Sequence, residues 1–387
     1  MVVLPEKLQK KLLERKKNNA IRTLPSKSIP FDFSSNDYLG FAKNQEVFHN
    51  ALELLKEHDL ILNGATGSRL LSGNHTLYTQ LEKSLGTFHE VDAALVFNSG
   101  YDANIGFFSA VPQRGDVVIY DEFIHASIRD GIRLGNAKSY KFKHNDLDDL
   151  KSKISLSYPA DNRGQNTEVY IVTESVFSMD GDSPNLKDLA NFCVSNNYHL
   201  VVDEAHSVGV YGNKGEGLVQ ELGLQDQVFA RIVTFGKALG CHGAAILGSE
   251  KLREYLINYA RSFVYTTGLS PHTVATILSA YDHLQTTQGL KAQQGLKENI
   301  EFFKRKLEYL KLKSKFIPSN SAIQCCRIQG NENVNKTAKT LQAKGFDVRP
   351  ILSPTVPTGE ERLRICLHTY NSEKQIEEAL KLLQTIV

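Results

Sequence analysis

Five apolar runs in this chain each end in residues with functional chemistry. Leu200–Val202 runs into Asp203-Glu204-Ala205-His206, and Ile232–Val233 into Thr234-Phe235-Gly236-Lys237. Ala93–Phe97 runs into Asn98-Ser99-Gly100-Tyr101, and Val117–Tyr120 into Asp121, with His125 one turn later. Val169–Val172 runs into Thr173-Glu174-Ser175, with Phe177-Ser178-Met179-Asp180-Gly181 beyond. A lysine amine can form an imine with an aldehyde. A carboxylate can hold a heteroaromatic nitrogen protonated, so that the ring accepts carbanion electrons. A glycine at a helix N-terminus lets backbone N–H groups and the helix dipole receive a phosphate. An imidazole face can stack on a ring. Lys237, Asp203, Ser99-Gly100-Tyr101 and His125 supply those four parts, which together are what a pyridoxal-phosphate site requires.

Each signal is weak alone. A lysine after a strand is ordinarily just solvated. Gly236-Lys237 is no P-loop, because Arg231 stands where the first glycine belongs and Ala238 replaces Ser or Thr. Asp203 and His206 could ligate a metal, but no third ligand has a matching spacing, so no metal is expected. His125 could simply cap a helix. Gly212-x-x-Gly215-x-Gly217 reads as a glycine-rich turn rather than a nucleotide loop, since no strand–helix context supports it. What carries weight is the joint occurrence, in order, at the ends of buried strands. The alternative from another class is a nucleotide-binding α/β protein without lysine chemistry.

The elements that position these residues follow from pattern. From about 90 to 250 short apolar runs, including Ala244–Leu247, alternate with helical stretches, and polar residues follow the runs at once. Parallel strands buried on both faces read this way. The expected architecture is α/β with a mostly parallel sheet, whose ligands sit beyond the carboxyl ends of the strands. After about 270, Leu296, Ile300, Phe303, Leu307 and Leu310 mark an amphipathic helix. Alternating segments follow around Ala322–Ile328 and Leu363–Leu367, and a last helix carries Ile376, Leu380 and Leu383. This predicts a helix and an extended arm (containing Pro25 and Pro30) over 1–45, a large α/β domain over 46–275 and a small C-terminal α+β domain over 276–387.

The bulk composition fits that plan and narrows the partners. The chain has 387 residues, 41% hydrophobic and 23% charged, with a formal net charge of +2. Nothing there demands nucleic acid or an acidic membrane. Lys10, Lys11, Arg15, Lys16 and Lys17 accompany Leu8, Leu12 and Leu13 at helical spacing, which reads as a solvated helix face. Five cysteines, an odd number with no C-x-x-C, make neither a disulfide framework nor a zinc site. Free thiols suit a reducing compartment. Pro5 and Glu6 break the short apolar start, so no signal peptide is expected. No stretch approaches the roughly 18 apolar residues that span a bilayer. These signs point to a cytoplasmic protein.

Longer motifs then bring a resemblance into view. They are Ser35-Asn36-Asp37-Tyr38-Leu39-Gly40, Gly67-Ser68-Arg69-Leu70-Leu71-Ser72-Gly73-Asn74, Val172-Thr173-Glu174, Asp203-Glu204-Ala205-His206-Ser207, Thr234-Phe235-Gly236-Lys237, Pro354-Thr355-Val356-Pro357 and Arg362-Leu363-Arg364. On these, nearly end to end, the chain resembles the α-oxoamine synthases, a branch of the fold-type-I pyridoxal-phosphate enzymes. One departure is Tyr78, where the family often has histidine.

The resemblance implies roles residue by residue. Lys237 would be the imine lysine, Asp203 the carboxylate on the pyridine nitrogen, His206 the partner of the ring hydroxyl and His125 the stacking histidine; these four are the implied catalytic set. Ser99, Gly100, Tyr101, Ser178 and Thr234 would hold cofactor and phosphate. Thr266 and Thr267 would give a phosphate contact from the other subunit of a homodimer. Asn36 and Arg364 would lie near the amino-acid carboxylate, and Arg22 and Thr355 near the acyl substrate. The implied reaction joins L-alanine to a pimeloyl thioester, on coenzyme A or an acyl carrier protein, with loss of carbon dioxide. Lys237 would take the α-proton, Arg364 would fork the carboxylate and His125 would polarise the thioester carbonyl. Sister enzymes that use serine with palmitoyl-CoA or glycine with acetyl-CoA are the near alternatives.

Overall fold

The computed structural model describes residues 3–22, 24, 29–157 and 167–387. Pro25 of the expected arm lies outside the described residues. The chain forms two compact units. One comprises Met1–Ser35, Met179–Asp182 and Gly295–Val387; the other comprises Asn36–Ser178 and Ser183–Gln294. This grouping differs from a division at 45 and 275. The N-terminal segment joins the C-terminal unit because its short strand pairs there. The other shift arises because the chain passes between units inside one helix, Thr287–Tyr309.

Numbered along the chain, the strands are β1 (Phe31–Asp32), β2 (Ala93–Phe97), β3 (Val117–Asp121), β4 (Lys138–Phe142), β5 (Val169–Glu174), β6 (His199–Asp203), β7 (Ala230–Thr234), β8 (Ala244–Gly248), β9 (Ile323–Arg327), β10 (Phe346–Asp347), β11 (Arg349–Ile351) and β12 (Arg362–Cys366). The larger unit holds a seven-stranded sheet in the order β2-β8-β7-β6-β5-β3-β4. β7, β6, β5, β3 and β4 run parallel, while β8 is antiparallel to both β2 and β7. Successive residues feed opposite cores. Val118, Val172, Val201 and Ile232 pack on one face. Val117, Ile119, Ile171, Leu200 and Val202 pack on the other. Both faces are dry, so the strands read as unbroken apolar runs. β4 lacks such a run: it is an edge strand, KSYKF, and only Phe142 is buried. That is why the sequence pattern does not disclose it.

β3, β5, β6 and β7 end at Asp121, Glu174, Asp203 and Thr234. Four parallel strands therefore deliver their last residues to one edge. The glycine motif 212–217 forms the expected turn, with positive φ at Gly212, Gly215 and Gly217 and Gly217 N–H donating to Tyr211 O.

In the smaller unit, β11-β12-β9 form an antiparallel sheet and β1 pairs with β10 in parallel. The last helix, Glu373–Gln384, begins at a Ser372–Gln375 capping box and buries Ile376, Ala379, Leu380 and Leu383. The first, Glu6–Lys17, buries nothing, as a solvated helix should. Among the described residues no helix is long and apolar enough to cross a membrane.

One buried ion pair fixes the strand ends. Arg231, 1% exposed, places Nη2 2.6 Å from Glu204 Oε2, and Glu204 is fully buried. The same guanidinium donates to His89 O and Glu216 O. Glu204 Oε1 accepts from Ser207 Oγ and Val219 N–H. Gly217 has φ +114, and a Cβ there would lie 2.8 Å from the Glu204 carboxylate. The network is thus closely filled, and breaking it leaves a charge stranded. We expect Arg231→Leu to lower unfolding free energy by about 3–5 kcal/mol, read as a shifted denaturation midpoint. A loss below about 1 kcal/mol would mean that the pair is not a structural anchor.

Candidate active site

Lys237 stands on the short connection between β7 and β8. The connection is tied at several points: Phe235 N–H donates to Gly243 O, Cys241 N–H to Phe235 O and Gly240 N–H to Lys237 O, at 2.8–2.9 Å. Its amine lies 2.6 Å from His206 Nε2. The other nitrogen, His206 Nδ1, lies 2.7 Å from the Tyr38 hydroxyl, which also reaches Asn36 Oδ1 at 3.2 Å. His206 and Tyr38 are buried. A base, an imidazole and a phenol therefore form one chain, with the half-buried lysine at its end.

Asp203 closes β6 beside this chain. Its carboxylate accepts from Asn104 Nδ2 at 3.0 Å and from the Ala205 N–H at 2.9 Å. The same Asn104 amide donates to Ser127 Oγ, which lies 2.7 Å from His125 Nδ1. His125 also caps the helix Ala126–Leu134, as its position in the sequence allowed. Its backbone N–H donates to Glu174 Oε1 at 2.6 Å, and Glu174 pairs in register with Asp203.

The electrostatics follow from burial and neighbours. Burial holds the His125 imidazole below its usual value; Lys237 and Arg129 push the same way, while Asp203 pulls back. Glu174 is pushed up to about 8, first by burial and then by the Asp203 charge beside it, with Lys237 opposing. Near neutral pH Glu174 therefore favours its protonated form.

At the expected phosphate end, Ser99 caps the helix Gly100–Ala110, its hydroxyl accepting from the Asp102 N–H. The N–H groups of the first turn have no partner within the helix. A Cβ built on Gly100 would lie 3.7 Å from Thr234 Oγ1, so these two expected phosphate residues adjoin. Thr234 Oγ1 itself donates to Gly243 O. Tyr101 is half exposed and donates its hydroxyl to Asp130. Asn98 Nδ2 donates to Thr266 Oγ1 at 3.0 Å and to Thr267 O at 2.6 Å. Tyr78 holds the next residues: its hydroxyl accepts from the Leu269 N–H at 2.7 Å, and Arg69 stacks 3.8 Å above its ring. Ser178 follows β5 in the same unit.

The remaining expected contacts belong to the smaller unit. Arg22 Nη2 donates to Thr355 Oγ1 at 3.3 Å. Arg364 sits in the centre of β12, in register with Arg349 and Cys325.

The residues of the larger unit fit pyridoxal phosphate. Asp203 is only 5% exposed, yet among the described residues no cation forms an ion pair with it. A buried carboxylate without a counter-ion is costly, and a protonated pyridine nitrogen is the partner it lacks. Sequence reasoning left Tyr38, Asn98, Asn104, Ser127 and Glu174 without roles. Glu174 had a signal, as the last residue of its strand; Asn104, inside a helix, had none.

The aminotransferase class I and II family matches residues 28–383. A protein from Emericella nidulans named 8-amino-7-oxononanoate synthase is 40% identical, over 97% of this chain and 92% of its own. A serine palmitoyltransferase from S. paucimobilis, solved with a pyridoxal-phosphate–myriocin aldimine, superposes with a TM-score of 0.87 at 26% identity, covering 100% of this chain and 98% of its own. An 8-amino-7-oxononanoate synthase structure from Francisella tularensis gives 0.76 at 28% identity, covering 92% of this chain and 97% of its own. The chain belongs to the pyridoxal-phosphate-dependent aminotransferase class I and II family, within its α-oxoamine synthase group.

Proposed function

We propose that this enzyme joins L-alanine to a pimeloyl thioester, releasing carbon dioxide and the thiol and forming 8-amino-7-oxononanoate, a step of biotin biosynthesis. The observation that carries the reading is the Lys237 amine 2.6 Å from His206, in the same unit as a buried Asp203 that lacks an ion-pair partner. The choice of substrates rests on the relative at 40% identity. Backbone superposition favours serine palmitoyltransferase, at 0.87 against 0.76. Substrate choice depends on side chains, though, and identity to that enzyme is only 26%. The nucleotide-binding alternative falls with the family assignment.

Bound pyridoxal phosphate supplies the electron sink for the α-carbon of the amino acid. Asp203 holds the proton on the pyridine nitrogen, with Asn104 and the Ala205 N–H fixing its carboxylate. His206 would meet the ring hydroxyl of the cofactor and His125 would stack on its ring. Gly100, Tyr101, Ser99, Ser178 and Thr234 would receive the phosphate, and Thr266 and Thr267 would reach the partner subunit's cofactor in a cytoplasmic homodimer. Lys237 removes the α-proton, with His206 adjacent to take up charge. Asn36 and Arg364 hold the amino-acid carboxylate, while Arg22 and Thr355 meet the acyl substrate. His125, its Nδ1 engaged by Ser127, presents Nε2 to the thioester carbonyl.

Three outcomes test this. Lys237→Ala abolishes turnover, and borohydride no longer fixes cofactor to the protein; retained activity in that variant would overturn the lysine's role. Alanine, serine and glycine, assayed against acetyl, pimeloyl and palmitoyl thioesters, give the highest kcat/KM for alanine with pimeloyl. A maximum at serine with palmitoyl would select the sister reaction. Burial pushes the Tyr78 phenol up to about 12, so its neutral hydroxyl holds the loop that carries Thr266 and Thr267. Tyr78→Phe should weaken cofactor binding about three- to tenfold by fluorescence titration, and Tyr78→His should restore most of it.

A further inference from the structure

Asn104, on the helix Gly100–Ala110, and Ser127, on the helix Ala126–Leu134, stand between Asp203 and His125, and both are buried. Asn104 Nδ2 lies 3.0 Å from Asp203 Oδ2 and 3.0 Å from Ser127 Oγ. Its Oδ1 is also buried and has no hydrogen-bond partner among the described residues. A buried acceptor left unpaired is destabilising, so the orientation of this amide has a cause. Turning the amide over would set Oδ1 against a carboxylate oxygen of Asp203, lone pair against lone pair. Asp203 therefore decides which way Asn104 faces, and the stranded carbonyl is the consequence.

The sense of every bond along this path then follows. The two amide hydrogens of Asn104 go to Asp203 and to Ser127 Oγ. Ser127 has one hydroxyl proton of its own, and the acceptor within its reach is His125 Nδ1, at 2.7 Å. The Ser127 backbone N–H donates to the same nitrogen at 3.3 Å. Two donors meet one ring nitrogen, so that nitrogen carries a lone pair. In a neutral imidazole the proton then sits on Nε2. Burial holds this imidazole below its usual value, which favours the neutral ring. Nε2 makes no hydrogen bond to a described residue, so its N–H is left for a ligand.

We propose that Asn104 and Ser127 are positioning residues that hold His125 as its Nε2–H tautomer, with Asp203 setting the sense of the chain Asp203–Asn104–Ser127–His125. Its use in the reaction rests on the reading that His125 donates to a thioester carbonyl; the tautomer itself does not. A carbonyl oxygen only accepts. The other tautomer would meet it with a lone pair and give no stabilisation as negative charge builds on that oxygen. The carboxylate assigned to the pyridine nitrogen thus also fixes, through two neutral side chains, the polarity of the group that meets the second substrate.

The test uses holoenzyme with ring-15N-labelled histidine and long-range 1H–15N correlation, the His125 signals being those lost in His125→Asn. In the parent, Nδ1 should resonate as an unprotonated nitrogen and Nε2 as a protonated one. A parent with Nδ1–H overturns the proposal, even if that enzyme turns over pimeloyl-CoA. Asn104→Leu leaves the Ser127 hydroxyl without its donor, so it becomes able to accept from Nδ1–H. The two nitrogen signals should then move towards each other as both tautomers are populated, and kcat/KM for pimeloyl-CoA should fall about tenfold. Unchanged signals in that variant would make Asn104 a merely structural residue and overturn the proposal too. Should Asn104→Leu not fold, Ser127→Ala reads the same link: Nδ1 loses its hydroxyl donor and its signal moves downfield, and an unmoved signal counts against the proposal. If the parent holds Nε2–H, Asn104→Leu loses it and neither turns over pimeloyl thioesters, the positioning stands and the assigned reaction fails.

Discussion

The bond between Arg231 and Glu204 sets the geometry of the reactive edge. Glu204 is flanked by Asp203 and is two residues from His206, and its carboxylate is gripped by a guanidinium from the neighbouring strand. The segment that carries both groups is therefore anchored by a buried residue of the neighbouring strand. Such a pair is a poor source of net stability, since two charges must be stripped of water. Its value is positional. Once made it tolerates no half measures, because either partner alone would be an uncompensated charge in a dry interior.

The carboxylates at the strand ends show how one scaffold gives the same side-chain chemistry different tasks. Asp203 and Glu174 are neighbours in register. The glutamate is held protonated by burial and by the aspartate's charge, while the aspartate is held by an amide and a backbone N–H. Raising one of two neighbouring acids lets both occupy a buried edge without two adjacent charges.

Much of the fold was legible because burial on both faces leaves an unmistakable run of apolar residues, as in β5 and β6. β4 was not legible, since an exposed edge imposes no such run. The core of the site was legible because Lys237, Asp203, His125 and Gly100 all close or follow strands. The positioning shell was not. Asn104 and Ser127 look like ordinary helix residues in sequence, and only the structure brings them between Asp203 and His125. Unit boundaries were hidden for a similar reason: β1 is two residues long and finds β10 more than three hundred residues away.

The antiparallel strand β8 carries a further consequence. A parallel neighbour would have required a long crossover after Thr234, and such connections absorb extra residues easily. Reversal instead leaves Lys237 on a short span whose two ends are hydrogen-bonded to each other. The reactive amine is thus indexed to the sheet by chain length itself. An added or deleted residue between Thr234 and Ala244 would turn the amine away from its imidazole.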